Sequence, residues 1–241
     1  MLTLEHLASP NFTSFTDQPL FGIALTVGIF LLATQMQQLL GNYAILNPTL
    51  VTINYVAFVL MICDVPYTSY MKGGVFIQLL LAVAVVLLAV PLYRQAAAIK
   101  ASRAIIGVSL LVGLPVGVLS GVGIAWFLGA DATLLASIAP RTITAGVAST
   151  TAGHIGGIPA LTGILAVMTG VTGAIIGPAI LKALRIERPE AVGLALGISS
   201  HGIGTAEAAK VSERAGAFSS LSMILAAIAG AVLLPLIVRF L

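Results

Sequence analysis

The run Gly197-Ile198-Ser199-Ser200-His201-Gly202-Ile203-Gly204-Thr205-Ala206-Glu207 sets two serines and a histidine side by side, then follows them with glycines. Such a run breaks a helix and leaves backbone polar groups in need of partners. A helix restarting near Gly204 or Thr205 points free N–H groups and the positive end of its dipole at what lies ahead, a setting for an anion. His201 can take up or release a proton near neutral pH. The bland alternative is a polar knot that ties two helices together by hydrogen bonds. A second constellation is Ala139-Pro140-Arg141-Thr142-Ile143-Thr144. An arginine between hydroxyls suits a carboxylate, which it can grip bidentately; alternatively it snorkels to headgroups from a segment end. The third, Gly153-His154-Ile155-Gly156-Gly157-Ile158-Pro159-Ala160, reads first as a Gly-rich connection with Pro159 in the first turn of a helix. Asn47, before Pro48, lines a cavity or caps a helix. Tyr93, beside Pro91, lines it or anchors an interface.

Enzyme chemistry finds little support. Ser199, Ser200 and His201 are adjacent, whereas a nucleophile and its base must face each other. The three histidines are too dispersed for a metal motif, and no phosphate loop of the GxxxxGK type is present. No catalytic residue, metal or cofactor is expected.

The elements that position these residues follow from composition. Of 241 residues, 59% are apolar and only 8% charged, where a soluble domain carries about 25% charged. Mean hydropathy is +1.12. These values exclude a soluble enzyme, a nucleic-acid-binding domain and a disordered chain. The net charge of +3 reflects basic residues between apolar runs rather than a nucleic-acid footprint. The single cysteine, Cys63, cannot form an intrachain disulfide. Met1–Pro19 lacks a positive n-region, so the first apolar run is expected to remain as a span.

The apolar runs are Leu20–Leu40, Ala44–Cys63, Val75–Tyr93, Ala104–Leu128, Leu134–Thr151, Ile158–Lys182, Ala191–Ser200 and Phe218–Phe240. Arg94, Lys100 and Arg103 mark one cytoplasmic loop, and Lys182, Arg185 and Arg188 another. Counting crossings between them leaves the N-terminus outside and requires Leu134–Thr151 to be re-entrant. Ala191–Ser200 is too short to span alone. Short, interrupted hydrophobic segments are the best sequence pointer to a transporter site. Sliding the chain on itself lays Pro48 on Pro159, Leu50 on Leu161, Arg103 on Arg214 and Ser109 on Ser220. Pro91 then falls on Gly202. The expected layout is an extramembranous segment 1–19 and two inverted repeats, 20–128 and 131–241, in one membrane domain. Gly113, Gly117 and Gly121, with Gly170, Gly173 and Gly177, read as close helix packing.

At these residues the chain resembles the LrgB/CidB family of bacterial membrane proteins. The matching stretches are Asn47-Pro48-Thr49-Leu50, Val90-Pro91-Leu92-Tyr93, Pro140-Arg141-Thr142, Gly156-Gly157-Ile158-Pro159-Ala160, and Gly193-Leu194-Ala195-Leu196-Gly197 through Ser200-His201-Gly202-Ile203-Gly204-Thr205-Ala206. They cover about residues 40 to 240. At the fifth segment the family commonly shows Pro-Lys-Ser-Val-Thr-Thr-Pro; here Pro140-Arg141-Thr142-Ile143-Thr144-Ala145-Gly146 keeps the charge and loses the second Thr and the Pro. The resemblance implies either antiholin-like control of murein hydrolases and lysis with a small LrgA/CidA-like membrane partner, or transport of small carboxylates such as glycolate, glycerate or pyruvate. The wider superfamily looks like cation/proton antiporters, with inverted repeats and crossed broken helices.

The expectation is an all-α membrane protein of about seven transmembrane helices plus a re-entrant segment, in the bacterial cytoplasmic (inner) membrane. It is not an enzyme. Its function is proton-coupled transport of a small monocarboxylate by alternating access. The expected binding residues are Asn47, Tyr93, Arg141, Thr142, Ser199, Ser200, His201, Gly202, Gly204 and Thr205, with His201 coupling the proton. Expected partners are the carboxylate, the lipid bilayer and the LrgA/CidA-like protein. A homo-oligomer is left open, and no nucleic acid is expected.

Overall fold

The computed structural model describes residues 14–41, 46–87 and 89–239. Most of the N-terminal segment 1–19, the start of the Ala44–Cys63 run and Phe240 therefore lie outside the described residues. Among the described residues the regular structure is entirely helical. The helices are α1 (Pro19–Leu39), α2 (Pro48–Ile62), α3 (Tyr67–Leu87), α4 (Ala89–Arg94), α5 (Ala96–Ala101), α6 (Arg103–Phe127), α7 (Ala132–Ile138), a 3-10 turn (Ala139–Thr142), α8 (Ala145–His154), α9 (Pro159–Ala183), α10 (Pro189–Val211) and α11 (Glu213–Arg239). Four of them, α1, α6, α9 and α11, are long and apolar enough to cross a membrane. α3 begins at Tyr67, earlier than the apolar run suggested. Its first turn is polar but satisfied: Ser69 donates to Asp17, and Lys72 pairs with Asp17 at 3.0 Å.

The pattern of burial is that of a protein in lipid. Leu111, Leu119, Trp126 and Phe127 are exposed, whereas Ser137, Thr162, Ser200, Ser219 and Ser222 are fully buried. With hydrocarbon outside, large aliphatics gain little by hiding, and small hydroxyl residues let helices approach and bond.

The chain forms two compact units, 1–87 and 88–241. In the first, α1 and α3 cross at Gly22 and Gly73; a Cβ on Gly22 would lie 3.2 Å from the Gly73 Cα. Thr26 and the Tyr70 hydroxyl bond at 2.8 Å across the same contact.

The second unit is built on two helical hairpins. The first runs from α7 through the 3-10 turn to α8. Asp131 caps α7 by accepting from the Leu134 N–H at 2.8 Å. Ile143 is extended and fully buried, so no helix continues through it. The chain then comes back to its starting arm. Ile158 N–H donates to Ser137 Oγ at 2.8 Å, and Thr162 Oγ1 donates to Ser137 O at 2.8 Å.

The second hairpin is α10. His201 has φ 52° and ψ −133°, non-helical within the helix. Residues 189–200 run alongside α11: Glu190 pairs with Arg214, Gly193 abuts Ala215 and Phe218, and Ser222 Oγ donates to Leu194 O. Residues 202–211 run back along the same three turns. Gly202 lies near Met223, Thr205 bonds Ser219, and Gly216 packs on Ala209. Both ends of α10 are thus at the start of α11. This corrects the expectation of crossed broken helices: the backbone at His201 reverses the chain rather than kinking it. A Cβ on Gly204 would strike Leu196 O and the Ser200 Cβ, so only glycine lets the arms close at the turn.

The hairpins stand at opposite ends of α9. The first closes at Thr162, and the second packs its two arms on Leu181 through Val192, Leu196 and Ala208. Their tips meet at the middle of α9, where Thr169 bonds Arg141 while Gly170 and Gly173 lie against Ser200 and His201.

Candidate functional site

Arg141 lies in the 3-10 turn at the tip of the first hairpin, and its guanidinium lies across α6. A Cβ on Gly121 would come within 2.6 Å of Arg141 Nε and 2.9 Å of its Cζ; one on Gly117 would meet Thr142 Cγ2 at 2.9 Å; one on Gly113 would meet Ile198 at 3.2 Å. The α6 glycine stripe is therefore the bed on which both hairpin tips rest. Arg141 Nη1 donates to Thr169 Oγ1 at 3.1 Å. Among the described residues, none of the ion pairs involves Arg141. An intramembrane cation without an acidic partner calls for an anion.

A cavity of about 630 Å³ opens between α6 and α10, with Arg141, Thr142, Thr169 and Ser199 among its lining. Ser199 Oγ bonds Ala195 O at 2.7 Å and lies 3.0 Å from Ser200 Oγ. Behind this wall, His201 is 5% exposed, within bonding reach of the Thr142 backbone and close enough to Arg141 to feel its charge. Two buried side-chain atoms here have no hydrogen-bond partner among the described residues: Thr142 Oγ1 and His201 Nε2. They sit on the two opposed tips. Buried polar atoms are nearly always paired, so such a pair marks a place where a polar ligand could bond.

The structure thus brings together Arg141, Thr142, Ser199, Ser200 and His201. Gly202, Gly204 and Thr205 instead close the second hairpin; Thr205 Oγ1 donates to His201 O at 2.9 Å and lies 3.0 Å from Ser219 Oγ. Tyr93 is 84% exposed and outside the cavity lining. Asn47 belongs to the first unit, where its Oδ1 accepts from Thr49 and Leu50 N–H at 3.0 and 3.4 Å, capping α2. His154 is exposed beside a separate cavity of about 370 Å³. Sequence reasoning missed Thr169, which has no motif around it, and read Gly117 and Gly121 as close packing without showing which neighbour they meet.

The model of the LrgB-like family matches residues 26–240. The chain belongs to that family. The LrgB-like relatives include the "Uncharacterized protein YxaC" of Bacillus subtilis, 41% identical over 219 residues, covering 90% of this chain and 94% of that one. The "Holin-like protein CidB" of Staphylococcus aureus is 36% identical over 221 residues, 92% and 96% of the two chains. An "Uncharacterized protein" of Haemophilus influenzae is 34% identical over 215 residues, 89% and 93%. No solved structure matches. Both arginine-bearing and histidine-bearing tips of this LrgB-like chain lie within the matched range, and membership together with the four apolar helices identifies it as a multi-pass membrane protein.

Proposed function

We propose that this chain is a secondary transporter of small monocarboxylates, coupled to protons and working by alternating access. The observation that carries the reading is Arg141: a cation lining the α6–α10 cavity, without an acidic partner among the described residues, flanked by Thr142, Thr169 and Ser199. A planar guanidinium flanked by hydroxyls suits a carboxylate. His201 lies close enough to feel the same charge. A carboxylate beside Arg141 offsets its charge, so the anion and a proton on His201 favour one another. The hairpin geometry supports the reading. Arms of 12 and 10 residues (189–200 and 202–211) are about 18 and 15 Å long. They reach about the middle of a 30 Å hydrocarbon core, where transporter sites lie. A proline opening both α2 and α9 fits inverted repeats over 20–128 and 131–241. Neither Tyr93 nor Asn47 is needed.

The second reading is an antiholin-like regulator acting with a small LrgA/CidA-like partner in the bacterial inner membrane, which the holin-like name of the CidB relatives favours. In that reading the glycine stripe of α6 would be a face for a partner. Here it is occupied by Arg141, Thr142 and Ile198 of the same chain.

The test is reconstitution in liposomes, with and without the small partner, following labelled pyruvate, glycolate and acetate under an imposed pH gradient. Saturable uptake lost in Arg141→Ala, with its pH-gradient dependence lost in His201→Ala, supports transport. Absence of uptake by folded, correctly oriented protein with its partner present turns the assignment to the regulator.

A further inference from the structure

Two cavities flank the tip of the first hairpin. Arg141 and Thr142 line the larger, and Gly146 and Val147 line the smaller one of about 370 Å³. Only Ile143, Thr144 and Ala145 lie between them in the chain. Ile143 is fully buried in one cluster with Leu114 of α6. On its other side is Gly230 of α11, where a Cβ would meet Ile143 Cγ2 at 2.7 Å. Leu114 stands between Gly113 and Val116 of the larger cavity, and Gly230 precedes Ala231 of the smaller. Ile143 therefore stands in the wall between the two spaces. These spaces lead to opposite faces. The larger runs from Arg141 towards Ile105 and Ala191, next to the basic residues Arg103 and Arg188. The smaller runs along α8 from Gly146 to His154. His154 leads into the start of α9, whose other end precedes Arg185 and Arg188. The open face of α8 is unlike one turned to lipid. Its exposed residues are Gly146, Thr150, Gly153 and His154, whereas α6 presents Leu111 and Leu119. Ionisable and polar groups left open within a membrane domain mark water-filled space.

Alternating access needs an approach to the site from each face, one closed while the other is open. Resting on the transport reading above, we infer that the α8–α11 cavity is the outer half of the substrate path and that Ile143 is the gate closing it. Arg141 is then approached from the face carrying Arg103 and Arg188, and the outer approach stops at the isoleucine. Glycine at 230 lets that side chain seat fully against α11. For a small carboxylate to pass between Thr150 and Pro235 to Arg141, Ile143 must leave Gly230.

The experiment locks the gate. A Cβ at position 230 would lie 3.8 Å from the Ile143 Cβ, the usual spacing in a disulfide, about 3.8 Å. The one native cysteine, Cys63, is replaced by serine, and Ile143→Cys is combined with Gly230→Cys in the full chain in proteoliposomes. Oxidation is expected to abolish uptake of labelled pyruvate and reduction to restore it, with each single-cysteine variant insensitive to the oxidant. Failure of the folded pair to cross-link, or uptake that continues with the bond formed, overturns the gate. Thr150→Cys, at an exposed position, tests the path separately and decides the matter if the buried pair does not fold. It is expected to react with a membrane-impermeant thiol reagent from the outer face only, and the attached group is expected to block uptake. Reaction from the inner face, reaction from neither face, or full uptake after labelling overturns the outer path. If even the unmodified protein takes up no acid, the transport reading falls and takes this inference with it. If unmodified protein transports normally and the lock or the label has no effect, the inference alone falls.

Discussion

Replacing Gly121 by alanine should separate function from stability. The added Cβ would lie 2.6 Å from Arg141 Nε and 2.9 Å from Cζ. Ordinary carbon contacts begin near 3.5 Å, so the guanidinium must withdraw by about 0.6–1 Å. That stretches the 3.1 Å bond from Nη1 to Thr169 beyond useful hydrogen-bond length. It also turns the fork away from a bound carboxylate. Losing one charge-assisted bond to the substrate costs about 1.5–3 kcal/mol, a rise in half-saturating concentration of roughly 10- to 150-fold. The fold should hardly notice. The obstructed group is the free end of a long side chain, and alanine is favoured over glycine within a helix by about 1 kcal/mol. Gly123→Ala is the matched control, because a Cβ there meets nothing within 4 Å. The assay is initial-rate uptake of labelled pyruvate against concentration, beside the unfolding midpoint of each variant. If Gly121→Ala transports with wild-type half-saturation, Arg141 does not hold the substrate from this position. If its midpoint falls as far as its affinity, the stripe is mere packing.

Three further outcomes are expected. His201→Gly should be more stable than His201→Ala, because a left-handed φ of 52° is strained for a residue with a Cβ, by about 1–3 kcal/mol; equal unfolding midpoints would contradict this, and both should lose pH-gradient coupling. Gly204→Ala should destabilise far more than Gly121→Ala, since its Cβ strikes the Leu196 carbonyl rather than a flexible side chain; overpacking of this kind costs about 1–3 kcal/mol, and a near-normal midpoint would refute the closed hairpin. Asp17 is held below its ordinary carboxylate value by the Ser69 hydroxyl first and then by Lys72. Its contribution to stability is therefore present above about pH 4 and lost as the pH falls through the depressed value. The midpoint difference between wild type and Asp17→Asn should shrink on acidification, and a constant difference would show that the carboxylate plays no part.

Much of this was legible in the sequence. Composition placed the chain in lipid. The long apolar runs gave α1, α6 and α9 to within a residue or so, because a proline or a charged loop marks their ends. Arg141 and His201 stood out as charges and breaks in apolar surroundings. The path of the chain at His201 was not legible. A Ser-His-Gly run says that a helix is interrupted, but whether it continues or reverses depends on one φ angle and on glycines 193, 197 and 204 meeting other backbone. The role of Gly121 was hidden for a similar reason. Its spacing says that something comes close, and only the fold says that the something is a guanidinium.

The second hairpin has a consequence for how the protein is made. Its 23 residues carry Glu190, His201, Glu207 and Lys210. Its arms of 12 and 10 residues are each shorter than the roughly 20 residues that a span needs, so the segment is a poor candidate for entering the bilayer alone as it leaves the ribosome. The surface that shelters it, the first three turns of α11, is synthesised afterwards. The hairpin must therefore wait at the membrane face until α11 has threaded, and then fold in against Ser219 and Ser222 with its turn leading. Nascent chains stalled before Ser222 should leave His201 reachable by water-soluble reagents, and chains carried past Arg239 on an appended linker should not. Maturation of the site is thus a late step, taken after every long helix is already in place.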